Sequence, residues 1–311
     1  MLLYTLNNYV KVITSRYFAV LYLNFTGGSL VFSGFKKGLK IFMILLVLCF
    51  LAVVYMFIEP YWFKTKYINL ESENIPDSFD GKKIVFVADI HYGEFFPQER
   101  LMDLVERINA LKPDIIFMAG DFIGRGRQNI EPCFNGLKNL KAPLGKYAVL
   151  GNHDYYNKGK TMKEAMKKAD IKDLSNKGVW IRSGDGRIKV GGVEDLYQKV
   201  QLIEPTINDV TEDDFVILLS HNPDYAEQIQ TDKVDIVLSG HTHGGQVTFF
   251  GLWAPRIPSE YGQKYRRGMV EAPNTKVYVT TGIGCTGIPM RFFARPQICV
   301  IKLVKTPKAR E

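Results

Sequence analysis

The sequence predicts an α/β domain built on two packed sheets and preceded by one membrane-spanning helix. Two observations carry the domain: short apolar runs end repeatedly in polar loops, and amphipathic stretches lie between several of them. A third carries the helix. Residues 41–58 form 18 consecutive positions without a charge, an amide or a proline.

As a helix that segment would be about 27 Å long, close to the roughly 30 Å of a bilayer's hydrocarbon core. A core helix rarely lacks any polar face, and no small-x-small cleavage site follows, as it would after a signal peptide. Lys36, Lys37 and Lys40 precede the run and Tyr61-Trp62-Phe63 follow it, as interfacial anchors do. The expected organisation is a basic leader over 1–38, a transmembrane anchor over 39–63, a polar linker over 64–81 and the folded domain over 82–311. The lysines ahead of the span favour a single pass in the cell membrane with the domain outside the cytoplasm. Lys64, Lys66, Lys82 and Lys83 behind it weaken that bias. Residues 17–35 are also apolar, but Asn24, Gly27, Gly28 and Ser29 interrupt them.

The net charge is +8, and Lys11, Arg16, Lys36, Lys37 and Lys40 supply five of those charges in a stretch, 1–58, that has no Asp or Glu. The domain is therefore only weakly basic, and no nucleic-acid partner is expected. The charge points to a membrane surface instead. Cys49, Cys133, Cys285 and Cys299 show no paired spacing, which argues against a disulfide framework and against a cysteine zinc site.

Along the domain, residues 83–88 (KIVFVA) read as a strand leading into Asp89-Ile90-His91. Pro97 then opens an amphipathic helix with Leu101, Leu104, Val105 and Ile108 on one face. Residues 115–119 (IIFMA) lead into Gly120-Asp121, and 147–150 (YAVL) into Gly151-Asn152-His153-Asp154. A second helix is expected over 161–169, then a hairpin turning at Gly184-Asp185-Gly186. Residues 215–219 (FVILL) lead into Ser220-His221, after which Asn222-Pro223 caps a third helix. Residues 236–238 (IVL) lead into Ser239-Gly240-His241-Thr242-His243. Apolar runs of this length fit strands buried on both faces.

All five histidines of the chain, His91, His153, His221, His241 and His243, stand just beyond such runs, in company with Asp89, Asp121 and Asn152. In open α/β sheets, sites form outside the carboxyl ends of the strands, where loops converge. Imidazoles, carboxylates and an amide suit manganese, iron, zinc or nickel better than an all-oxygen magnesium or calcium site. The set is too large for one catalytic metal and about right for two ions sharing a carboxylate.

The blocks Asp89-x-His91, Gly120-Asp121, Gly151-Asn152-His153-Asp154, His221 and Gly240-His241-Thr242-His243 resemble, in order, those of the calcineurin-like metallophosphoesterases. Gly244-Gly245-Gln246-Val247, Tyr261-Gly262-Gln263-Lys264-Tyr265, Thr281-Gly282-Ile283-Gly284 and Gly287-Ile288-Pro289-Met290-Arg291 resemble the bacterial, membrane-associated YkuE/YaeI-type phosphodiesterase branch. The resemblance covers about 82–303. It implies a four-layer α/β/β/α sandwich and two divalent transition-metal ions, manganese first, with zinc, iron or nickel as alternatives. One ion would take Asp89, His91 and His243, the other Asn152, His221 and His241, with Asp121 bridging. His153 would face the substrate as the catalytic residue, with Asp154 orienting and polarising it.

The activity so implied is hydrolysis of a phosphodiester or pyrophosphate by a two-metal-activated hydroxide, on lipid-linked substrates such as a UDP-diacylglucosamine-type lipid A precursor. The alternatives are a phosphomonoesterase of similar mechanism and a non-catalytic metal-binding scaffold. The intact His153-Asp154 pair speaks against the scaffold. Departures from the family pattern touch substrate contacts. Gly124 stands where many relatives are acidic, Arg125 follows it, and Arg295-Pro296-Gln297 replaces a Pro-Pro-Glu-like ending.

Overall fold

The computed structural model describes residues 28–156 and 159–307. The chain divides into a unit ending at Val54 and a folded unit from Tyr55 onward. Helix α1 (Gly28–Ile58) contains the uncharged run, and its described side chains are largely exposed and apolar. Within Phe35–Tyr61, an 18-residue window reaches a mean hydropathy of 3.1. Among the described residues this is the one helix long and apolar enough to cross a membrane. Most of the expected leader lies outside the described residues.

The folded unit carries two six-stranded sheets. The first runs in the order β1 (Lys64–Ser72), β12 (Gln297–Lys305), β2 (Lys83–Val87), β3 (Ile115–Ala119), β4 (Lys146–Val149) and β5 (Lys172–Asp173). The second runs β10 (Gly268–Glu271), β11 (Lys276–Val279), β9 (Ile236–Ser239), β8 (Val216–Leu219), β7 (Gly186–Gly192) and β6 (Lys177–Ser183). Strands β2 to β5 are parallel, as are β7, β8, β9 and β11. The carboxyl ends of β2, β3 and β4 therefore open on one edge of the first sheet, and those of β8 and β9 on one edge of the second.

Period-two alternation sorts the side chains into three cores. Val85, Val87, Ile116 and Met118 face α2 (Gln98–Ala110) through Leu101, Leu104, Val105 and Ile108. Helices α3 (Ile130–Leu137) and α5 (Gly159–Lys168) complete that layer. Ile84, Phe86, Ile115 and Phe117 point the other way, into the seam with Ile188, Val190, Ile217 and Leu238 of the second sheet. Val216, Leu218, Val237 and Val277 pack outward on Tyr225, Ala226 and Tyr265. The result is the four-layer α/β/β/α sandwich. Its outer layer on the second sheet consists of short turns of helix, Pro223–Gln228 and Gly262–Tyr265 among them. The helix expected after Asn222-Pro223 is one of these 3₁₀ turns, with the Asn222 side chain accepting from the Asp224 amide as its cap.

The stretch expected as a linker over 64–81 is largely structural. Strand β1 pairs in parallel with β12 along its whole length, and Leu70 is buried on the inner core. Polar side chains disguise it because β1 is the edge of its sheet, where one side and one face meet solvent.

Candidate active site

The ladder between β2 and β3 continues past the strands. The Asp89 amide donates to Gly120 O at 2.9 Å and the His91 amide to Asp121 O at 2.9 Å, so the first two motifs lie side by side. Beyond β4, helix α4 (Asn152–Tyr156) presents Asn152 and His153. Strands β8 and β9 deliver His221, His241 and His243 from the facing sheet. Close approach of the two sheets' loops demands glycine. A Cβ on Gly240 would sit 2.5 Å from Asp89 Oδ2, and one on Gly151 would sit 2.7 Å from His221 Cε1.

The seven side chains expected to hold metal come together. His91 Nε2 is 3.1 Å from His243 Nε2, which lies 3.7 Å from Asp89 Oδ1. His221 Nε2 is 3.2 Å from both Asn152 Oδ1 and His241 Nδ1. Asp121 Oδ2 stands between the two groups, 3.5 Å from His91 Nε2 and 3.4 Å from His221 Nε2. Five of the seven, Asp89, His91, Asp121, His241 and His243, have φ between 49° and 68°. That left-handed backbone is uncommon outside glycine, and its clustering at one place marks a functional site.

The rings are oriented by the main chain. His221 Nδ1 lies 2.7 Å from Ala119 O, and a carbonyl only accepts, so Nδ1 carries the proton and Nε2 turns its lone pair inward. The Asp89 carboxylate accepts from the His241 amide at 2.9 and 3.1 Å. With only the protein's own charges present, burial pushes the Asp89 carboxyl up to about 7 and the imidazoles of His91 and His241 down to about 4 and about 3. Burial opposes charge on His221 as well, but the Asp121 carboxylate reverses the balance and holds His221 well above the usual imidazole range. Four buried rings with converging nitrogens, two buried carboxylates and a buried, unpartnered His241 Nε2 suit a divalent transition metal. Asp89, His91 and His243 form one group able to hold an ion; Asp89, Asp121 and His221 form another; and His153 joins His91 and Asp121 in a third.

His153 differs from the other four rings in being only half-buried. It lines two clefts at once. One, of about 500 Å³, runs past His91, Gly124 and Arg125; the other, of about 460 Å³, runs past Asp121, Asn152, His241 and Arg256. Its amide donates to Asp121 Oδ1 at 2.9 Å, and its Nδ1 faces Gly124 O at 3.3 Å. The expectation that Asp154 orients this ring through its own carboxylate differs from the contacts seen. Asp154 is fully buried and accepts from the amides of Phe122, Ile123 and Gly151 at 2.9, 3.3 and 3.0 Å. It braces the loops that carry Asp121 and Asn152, and the Gly124 carbonyl is the group against His153 Nδ1.

Residues 82–245 match the family described as calcineurin-like phosphoesterase. The chain belongs to that family. It is 35% identical to the uncharacterized metallophosphoesterase YkuE of Bacillus subtilis, over 80% of this chain and 88% of that protein. It is 32% identical to an uncharacterized metallophosphoesterase of Aquifex aeolicus, over 82% of this chain and 98% of that one. A transmembrane protein with a metallophosphoesterase domain from Danio rerio is 31% identical over 76% of this chain and 56% of its own length. Among solved structures, the NAD nucleotidase of Haemophilus influenzae is 16% identical with a TM-score of 0.44, covering 65% of this chain and 45% of that one. A metallophosphoesterase of this family uses divalent metal, and the Asp/His cluster is where this chain offers ligands for it.

Two features of this metallophosphoesterase escape a reading of residue types. Arg291 is fully buried and donates to the carbonyls of Thr281 and Ala294 at 2.8 and 2.6 Å, with Nη2 3.4 Å from His243 Nδ1. It ties the loop of β9 to the loop of β11, yet an arginine in a loop ordinarily reads as a solvated one. The Gly124 carbonyl is main chain and has no signature at all.

Proposed function

We propose that this chain is a membrane-anchored, metal-dependent hydrolase of phosphodiesters or pyrophosphates. The observation that supports it best is the placement of His153, beside the ligand cluster and at the meeting of two clefts. A diester has a group on each side of its phosphorus, and two clefts give each group a place. A monoester would use one.

Asp89, His91 and His243 would hold one divalent ion and Asn152, His221 and His241 a second, with Asp121 offered to both; the position of Asp121 Oδ2 between the two histidine groups supports this. When bound, such ions supply positive charge to the phosphate oxygens and a hydroxide-strength nucleophile near neutral pH. His153, protonated at Nδ1 toward Gly124 O, would use Nε2 to give a proton to the departing oxygen. Arg125 and Arg256, each exposed and lining one cleft, would meet the substrate's outer charges. The lipid-linked class is supported by the exposed loop Phe249-Phe250-Gly251-Leu252-Trp253, which follows the cleft residue Val247. The apolar helix that supports the anchor would raise the local concentration of such substrates.

The test uses the full chain in detergent, stripped by chelation and supplied with manganese, zinc or magnesium, on an aryl phosphodiester and its monoester. Metal-stimulated turnover is expected, with the diester favoured. His153→Ala should keep its metal and lose a factor of about 10²–10⁴ in kcat. Bound metal with no turnover on either substrate would overturn the enzyme, and loss of metal in His153→Ala would overturn the role given to His153.

A further inference from the structure

A third cleft, of about 630 Å³, shares no lining residue with the two that meet at His153. Lys64, Lys66, Arg267 and Arg295 line it, and no Asp or Glu does. These four cations come from three separate parts of the chain. Lys64 and Lys66 are two apart on β1 and share one face of the strand. Arg267 precedes β10 and is braced on Gly251 O at 2.8 Å; Arg295 precedes β12 and is braced on Trp62 O at 3.0 Å. Edge-strand lysines alone would be explained as guards against strand pairing. Two arginines brought to the same cleft from elsewhere, and held there by carbonyls, are not.

The wall of the cleft identifies the kind of anion. Tyr55 and Phe293 line it, with ring centroids 5.7 Å apart, and Tyr55 belongs to the last turn of the apolar helix α1. Trp62 packs on Tyr55 at 5.9 Å. Aromatic rings at the end of a span sit at the level of lipid headgroups, where basic side chains gain about 1 kcal/mol each from anionic lipid. We infer that this cleft binds the phosphate of an anionic lipid headgroup, at a site separate from the ligand cluster. A free phosphate would have no use for the aromatic wall. The inference rests on α1 being a membrane anchor and is independent of the reaction proposed above.

The test uses the full chain in neutral detergent micelles and reads thermal stability as lipid is titrated. Three probes are compared: short-chain phosphatidylglycerol, phosphatidylcholine of equal length, and inorganic phosphate. Saturable stabilisation by phosphatidylglycerol alone is expected. Lys64→Gln/Lys66→Gln should weaken its apparent affinity about tenfold to thirtyfold. Lys167→Gln/Lys168→Gln, with the same charge change on the exposed side of α5, should leave it unaltered. Hydrolysis of the soluble aryl diester should be equal in all three proteins. If the double variant does not fold, Lys64→Gln and Lys66→Gln singly should each show a threefold to sixfold loss. Equal binding of phosphatidylcholine, equal loss in the control variant, or unchanged affinity in the cleft variants would overturn the site. Saturation by inorganic phosphate with no further effect of lipid would overturn the lipid as occupant.

Discussion

Asp154 serves the site without touching its histidines. Its two oxygens satisfy three main-chain amides at the turn between β4 and α4 and in the loop after β3. Burial pushes its carboxyl up to about 8, with the neighbouring Asp121 adding to the rise. Asp154→Ala would strand those amides in a dry environment, at about 1–3 kcal/mol for each unsatisfied group. The expected result is a loss of about 2–5 kcal/mol in urea unfolding, together with weakened metal binding. Asp154→Asn, which keeps an acceptor oxygen, should lose less. Wild-type stability with abolished turnover would instead assign Asp154 to the chemistry directly. The identity of the seven gathered residues was legible because each block keeps its spacing on a strand end. The left-handed backbone of five of them was not, since Asp and His tolerate that conformation without announcing it.

Among the elements, strand β1 shows where a sequence reading stops. Ile68 and Leu70 are its only aliphatic residues, and the polar positions around them are those of an edge, so nothing in the run outweighs a linker. What makes it a strand is the partner, β12, some 230 residues away in the chain. The segment just before it is equally committed. Glu59 is fully buried, and its carboxylate accepts from the Phe293 and Ala294 amides at 2.7 and 2.6 Å. A chain beginning at Lys82 would lack both features, leaving the buried Ala294 amide and the half-buried Phe293 amide unpaired and β12 as an open edge. Compared with one beginning at Tyr55, it should melt about 10 °C lower or aggregate on purification. Matching melting curves would return 64–81 to the status of a linker. Strands buried on both faces, by contrast, needed no partner to be read: residues 115–119 are apolar throughout and are β3 to the residue.

On the scale of the whole molecule, stability should respond to pH through groups remote from the ligand cluster. Asp235, ahead of β9, accepts from the Val216 amide at 2.7 Å, and burial raises its carboxyl to about 6 from the usual 3.8. Between those values the folded chain keeps a proton that the unfolded chain has lost, so stability falls as pH rises and levels off above about 6. The span of the effect is at most about 3 kcal/mol, since each tenfold change in proton affinity is worth about 1.4 kcal/mol. Asp235→Asn removes the titration and retains an acceptor. Its melting temperature relative to wild type should climb between pH 4 and pH 6 and stay level beyond, as differential scanning fluorimetry at stepped pH would read. A constant difference across that range would mean that Asp235 does not titrate on unfolding.

The placement of β12 between β1 and β2 also sets an order of events during synthesis. Both neighbours leave the ribosome long before it does, and neither can complete its pairing until it arrives. An apolar helix ahead of them can enter a bilayer while the first sheet still has a gap in it. For much of translation the nascent chain is then half-sheeted and in need of chaperone cover. A premature stop anywhere before Gln297 would leave β1 without its partner and one side of β2 open, and should yield an unstable, aggregation-prone protein rather than a shorter enzyme.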